Sequence, residues 1–113
     1  RPAAPPPAYV ARLETSFAQH MKAPSPQALA RFVEAQTVWD RAMAEAIVKS
    51  LIQNPETRVV AILGWGHVAE GHGVAHQLKA LGVADVASAI PTNGSKNCEP
   101  TPAAADYSFG TTP

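Results

Sequence analysis

The run Arg58-Val59-Val60-Ala61-Ile62-Leu63 is β-branched and apolar, with no polar alternation. Such a run reads as a strand covered on both faces, as strands of parallel sheets are. The turn Gly64-Trp65-Gly66-His67 interrupts it, a short helix over about Val74 to Ala80 follows with Gly82 as its C-terminal cap, and Val83 to Ile90 reads as a second strand. Strand, glycine turn, helix, strand is a βαβ half-unit, and such units do not stand alone. The expected fold is therefore α/β, with long helices packed on a small parallel sheet whose other strands lie outside this chain.

Two helices precede that unit. The first spans about Ala8 to Met21, with Val10, Leu13, Phe17 and His20 or Met21 at helical spacing. The second opens on Ser25 as N-cap with Pro26 at its first position, and runs to Asn54-Pro55. Its stripe of Leu29, Phe32, Gln36, Trp39, Met43, Ile47 and Leu51 is expected to pack on the strand Val59 to Leu63, and Arg41 and Glu45 pair four apart on another face. Three segments result: a stiff Pro-rich leader over 1–7, a domain over 8–91, and a polar tail over 92–113 whose composition predicts that it is either mobile, without regular structure, or ordered only by lying across the surface or a partner. The chain opens at Arg1 rather than Met, so it reads as an excised or processed piece.

Charge and cysteine content exclude several function classes. Lys plus Arg and Asp plus Glu number nine each, without the positive excess that nucleic acid or an anionic membrane surface demands. The single cysteine, Cys98, excludes an internal disulfide framework and fits no metal spacing, and no apolar run is long enough to span a bilayer. There is no P-loop, GxGxxG, HExxH or GxSxG motif.

Chemistry concentrates in Gly64-Trp65-Gly66-His67-Val68-Ala69-Glu70-Gly71-His72-Gly73-Val74-Ala75-His76, which starts at the carboxyl end of the first strand, where open α/β sheets bind ligands. Gly64 and Gly66 allow a tight turn and close approach of a ligand, and they present His67 at the mouth of the strand. Trp65 can stack on a planar ligand or simply cover the edge of the core. His67, His72 and His76, with Glu70 nearby, could ligate a divalent transition metal or face an iron porphyrin. The plainer reading makes His72, His76 and Glu70 solvated. His20 reads as a helix C-terminal cap, and Trp39 and Met43 as core. Gln36 and Asp40 are polar within an apolar stripe and so need buried partners, while Tyr9 and Tyr107, the two phenols, stand one near each flexible end.

Phe32-Val33-Glu34-Ala35-Gln36, then Trp39-Asp40-Arg41-Ala42-Met43-Ala44-Glu45, then the strand with Gly64-Trp65-Gly66-His67, resemble the ChaN-like haem-binding proteins, which are grouped with the Tiki metalloproteases and erythromycin esterases. Tyr9, Leu13, Phe17 and His20 resemble that family's preceding helix, and the similarity spans about Tyr9 to Ala89, corresponding to the C-terminal half of such a domain. The resemblance implies bacterial envelope lipoproteins, periplasmic or outer-membrane anchored, that serve iron uptake and bind haem at a homodimer interface through a tyrosine. It also implies that His67 pairs with acidic and histidine residues of an N-terminal motif outside this chain. The expected function is thus a haem- or iron-binding module without chemistry of its own, with Gly64, Trp65, Gly66, His67 and His72 at the ligand. The rival is a metal-dependent hydrolase, incomplete here, with metal at His67, His72 and His76.

Overall fold

A computed structural model describes residues 1–21, 25–93 and 104–111. Helix α1 is Pro7–His20 and α2 is Pro26–Gln53. Ser25 Oγ accepts the Ala28 N–H at 3.1 Å, which satisfies one of the free amides at the start of α2. At the other end the Asn54 N–H and Nδ2 both donate to the Ser50 carbonyl, and Pro55 follows. Leu13 and Phe17 of α1 are buried, and the Phe17 ring lies 5.0 Å from that of Phe32 on α2. An aromatic pair of this kind contributes about 0.5–1.5 kcal/mol beyond its burial.

Helix α2 is continuous, as its pattern predicts, but its inward face is turned by one residue. Thr37, Asp40 and Ala44 are its buried residues, whereas Trp39 is 63 % exposed and does not belong to the core. Met43 and Ile47, on the border of that face, pack not on the expected strand but against the cluster of Ala44, Val74 and Leu78, together with Val48, Leu63, Leu81, Val83 and Val86. Ala44 is fully buried because helix α4, Val74–Ala80, crosses close to it. Burying Val74 and Leu78 there contributes roughly 1.5–3 kcal/mol each. Helix α4 ends as the sequence indicates. Gly82 takes φ +88°, the Val83 N–H reaches the Leu78 carbonyl, and the Gly82 N–H reaches that of Lys79.

The sheet departs from expectation. Arg58 to Leu63 takes no regular secondary structure and joins no ladder among the described residues, and Val60 and Ile62 are 88 % and 96 % exposed. A strand needs a neighbour at hydrogen-bonding distance, and hydropathy alone cannot supply one. Only Ala89 and Ile90 of the expected second strand are paired: strand β1 is Ala89–Asn93. Its parallel partner β2, Tyr107–Thr111, falls in the tail, whose composition predicts mobility or order only across the surface or a partner, with Ile90 opposite Ser108 and Pro91 opposite Phe109. Ser88 fixes this pairing: its N–H and hydroxyl both donate to Asp106 Oδ2 at 2.7 Å, and its carbonyl accepts the Tyr107 N–H. These bonds hold the Asp106 carboxyl below the usual carboxylate range. The fold class is α/β, as expected. Cys98 lies outside the described residues.

The Pro-rich leader is not free. The Gln77 side chain, almost fully buried on α4, accepts the Ala3 N–H at 2.8 Å and donates to the Ala3 carbonyl at 2.9 Å, the pairing a neighbouring backbone would make.

Candidate functional site

The site is built on Asp40, which is 1 % exposed in the middle of α2. A buried carboxylate requires hydrogen-bond donors, and it has two. The Tyr9 hydroxyl of α1 donates to Oδ2 at 2.7 Å, and the His67 Nδ1–H donates to Oδ1 at 2.8 Å. Tyr9 is equally buried, not part of a flexible end. Burial first, and then the hydrogen bond to Asp40, push its phenol well above the ordinary tyrosine value, so it stays a neutral donor. His67 lies in the short helix α3, Trp65–Val68, whose N-cap is Gly64. With Nδ1 committed to Asp40, its Nε2 carries the lone pair and makes no hydrogen bond among the described residues.

Of the two glycines beside this pair, only Gly73 is required by space. The Gly64 α-carbon stands beside the His67 ring, where a Cβ would meet Cδ2 at 3.6 Å. A Cβ on Gly73 would lie 2.6 Å from the His67 carbonyl oxygen and 2.9 Å from Asp40 Oδ1, so a side chain there would displace the Asp40–His67 contact. Trp65 is more than half exposed, and the Arg12 guanidinium lies 5.3 Å from its ring centroid and 5.2 Å from that of Tyr9. Arg12 Nη2 also donates to the Gly66 carbonyl at 2.8 Å, tying the glycine turn to α1. Gly66 has open space about its α-carbon.

The three histidines do not converge as one metal set. His76 Nε2–H donates to the Ala4 carbonyl at 2.9 Å, which removes that nitrogen's lone pair from any ligand role and gives His76 the task of holding the leader. His72 lies near the site, its ring 6.5 Å from Tyr9 and its Nδ1 3.3 Å from Glu70 Oε2 without hydrogen-bond geometry. Among the described residues no group of three or more His, Cys, Asp and Glu could hold a metal ion. His20 caps α1 as expected, its Nδ1–H donating to the Ser16 carbonyl at 2.7 Å.

Among the sequence candidates, His67 bonds the Asp40 carboxylate and Gly64 adjoins its ring, Trp65 and Gly66 meet Arg12, His72 lies beside Tyr9, and His76 stands apart on the leader. Tyr9, Arg12 and Gly73 were not anticipated. The signal that could have found Tyr9 was the polar Asp40 inside an apolar stripe, which demanded a buried donor; Arg12 carried none. Glu70, read as a solvated turn residue, instead approaches both Arg12 and His72.

No helix among the described residues is long and apolar enough to cross a membrane. No curated protein and no solved structure matches the chain. One family model does match, over residues 1–78, from the leader through nearly all of α4 and every residue of the Asp40 site. Its description is haem-binding uptake, Tiki superfamily, ChaN, and by that match this chain belongs to the family.

Proposed function

We propose that this chain is a haem-binding module serving iron uptake at the bacterial cell envelope, with His67 Nε2 presented to the iron. One observation carries this reading: the Tyr9–Asp40–His67 chain fixes the imidazole in the Nδ1–H tautomer and leaves Nε2 with its lone pair. A carboxylate behind an imidazole orients it and raises its basicity as a ligand. The surroundings fit a porphyrin, with the exposed indole of Trp65 available for stacking and Arg12 Nη1 and His72 Nδ1 left as unpartnered polar atoms close by. Bound haem supplies an iron centre that accepts a nitrogen lone pair. The chain's own residues orient His67 and hold its Nδ1 proton on Asp40. Tyr9 is committed to Asp40, so of the two phenols only Tyr107, exposed on β2, is free to approach a ligand.

The same Asp40–His67 pair would serve a metal-dependent hydrolase, with His67 as ligand or base. Its remaining metal ligands would have to come from beyond the described residues. Titration with haemin, followed at the Soret band, separates the readings. We expect a saturable shift with the wild type that is weakened at least tenfold in His67→Asn. The amide of that variant can still donate to Asp40 but offers no ligating nitrogen. Equal binding by wild type and variant excludes His67 as the iron-facing residue, and stoichiometric zinc uptake without any Soret change favours the hydrolase.

A further inference from the structure

Glu70 is the only described non-glycine residue with a left-handed backbone, at φ 61°, a conformation that side chains rarely adopt. Its N–H is held by the Ala104 carbonyl at 2.7 Å. This turn sets the Glu70 carboxylate over two buried nitrogens that make no hydrogen bond, Arg12 Nη1 at 3.8 Å and His72 Nδ1 at 3.3 Å, both measured to Oε2. A fully engaged ion pair would close to about 2.7–2.9 Å with aligned N–H groups. Glu70 therefore covers the two nitrogens without satisfying them, and its side chain is 42 % exposed and free to swing outward. The two nitrogens are less free. The guanidinium lies over the Tyr9 and Trp65 rings and is bonded to the Gly66 carbonyl, and His72 is held beside Tyr9.

We propose that Arg12 Nη1 and His72 Nδ1 form a binding site for a carboxylate of the ligand, a propionate of the porphyrin, and that Glu70 is a resident stand-in displaced when the ligand enters. The site rests on the haem reading above and extends it from the iron to the porphyrin edge. Arg12 is bonded to the carbonyl of Gly66, the residue before His67, and His72 lies beside Tyr9, which shares the Asp40 carboxylate with His67. Displacing Glu70 exchanges one poorly aligned carboxylate for one that can approach both donors directly.

The test compares haemin with its dimethyl ester, which keeps the iron and the ring but has no ionised carboxylate. Soret titrations are run on wild type, Glu70→Gln, Arg12→Gln and His72→Phe, with thermal melting of each. A charge-assisted hydrogen bond predicts that wild type binds the diacid about tenfold more tightly than the diester. Glu70→Gln should widen that ratio by removing the competing carboxylate. Arg12→Gln and His72→Phe should bring the diacid-to-diester ratio towards one. Should Arg12→Gln fail to fold, His72→Phe carries the comparison, because it keeps a ring in the same position. A wild-type ratio near one, or a ratio retained in a folded Arg12→Gln or His72→Phe, overturns the carboxylate site and leaves the haem reading standing. Absence of a saturable Soret change with either compound overturns both.

Discussion

Replacing Tyr9 with Phe removes one oxygen and keeps the ring, so its effect measures what the hydroxyl does for Asp40. The bond is 2.7 Å long and its acceptor is a carboxylate with 1 % exposure, where no water can replace the lost donor. Hydrogen bonds to charged groups contribute about 1.5–3 kcal/mol, so a loss near 2 kcal/mol is expected. In a domain of this size that lowers the melting temperature by roughly 10 °C. Urea unfolding at neutral pH should show a lower midpoint with an unchanged slope. The pH dependence gives a second reading. The Tyr9 phenol is raised above its ordinary value by burial and by Asp40. Its contribution is therefore fully present below about pH 10, where the phenol is protonated in both states. It declines as pH rises further, because the unfolded phenol ionises while the folded one keeps its proton. Tyr9→Phe should lack that alkaline decline. A destabilisation under about 0.5 kcal/mol, the usual range of an uninvolved surface change, would refute the role given to the hydroxyl.

Three further substitutions probe the framework of the site. Gly73→Ala places a methyl 2.6 Å from the His67 carbonyl oxygen and 2.9 Å from Asp40 Oδ1. It should cost about 1–3 kcal/mol by overpacking and shift the His67 ring resonances, a pair of changes visible by denaturation and NMR. Ala44→Leu forces a large side chain into the fully buried contact between α2 and α4 and should cost about 1–3 kcal/mol, whereas Trp39→Ser should change stability by under about 0.5 kcal/mol. The reverse order would restore the helix face that hydropathy suggested.

What could be read in advance was local chemistry. Ser25-Pro26, Asn54-Pro55 and Gly82 end or begin helices through bonds to their own neighbours, and each acts where expected. The face of α2 slipped because its buried stripe is Thr37, Asp40 and Ala44, residues with little hydropathy signal. That face is set by the donors that Asp40 requires and by the close approach of α4 at Ala44. Strand pairing was illegible for a different reason: Val59 to Leu63 has strand chemistry, but a ladder depends on a distant partner. The alternation of Tyr107, Ser108 and Phe109 was a period-two signal masked by the polar composition around it. At the site, the glycine turn singles out His67, which the structure sets against Asp40, and the polar oddity of Asp40 points to a partner without identifying Tyr9.

Iron binding by His67 depends on which of its ring nitrogens carries the proton. Long-range proton–nitrogen NMR of the neutral imidazole distinguishes the two directly. With Asp40 Oδ1 2.8 Å from Nδ1, the protein as isolated should show His67 protonated at Nδ1 and bare at Nε2. Added haemin should then broaden the Nε2 signal first. Asp40→Ala, which removes the acceptor, should let the usual Nε2–H tautomer return. A wild-type His67 that carries its proton on Nε2 would contradict the arrangement at its centre, because the nitrogen assigned to the iron would then have no lone pair to give.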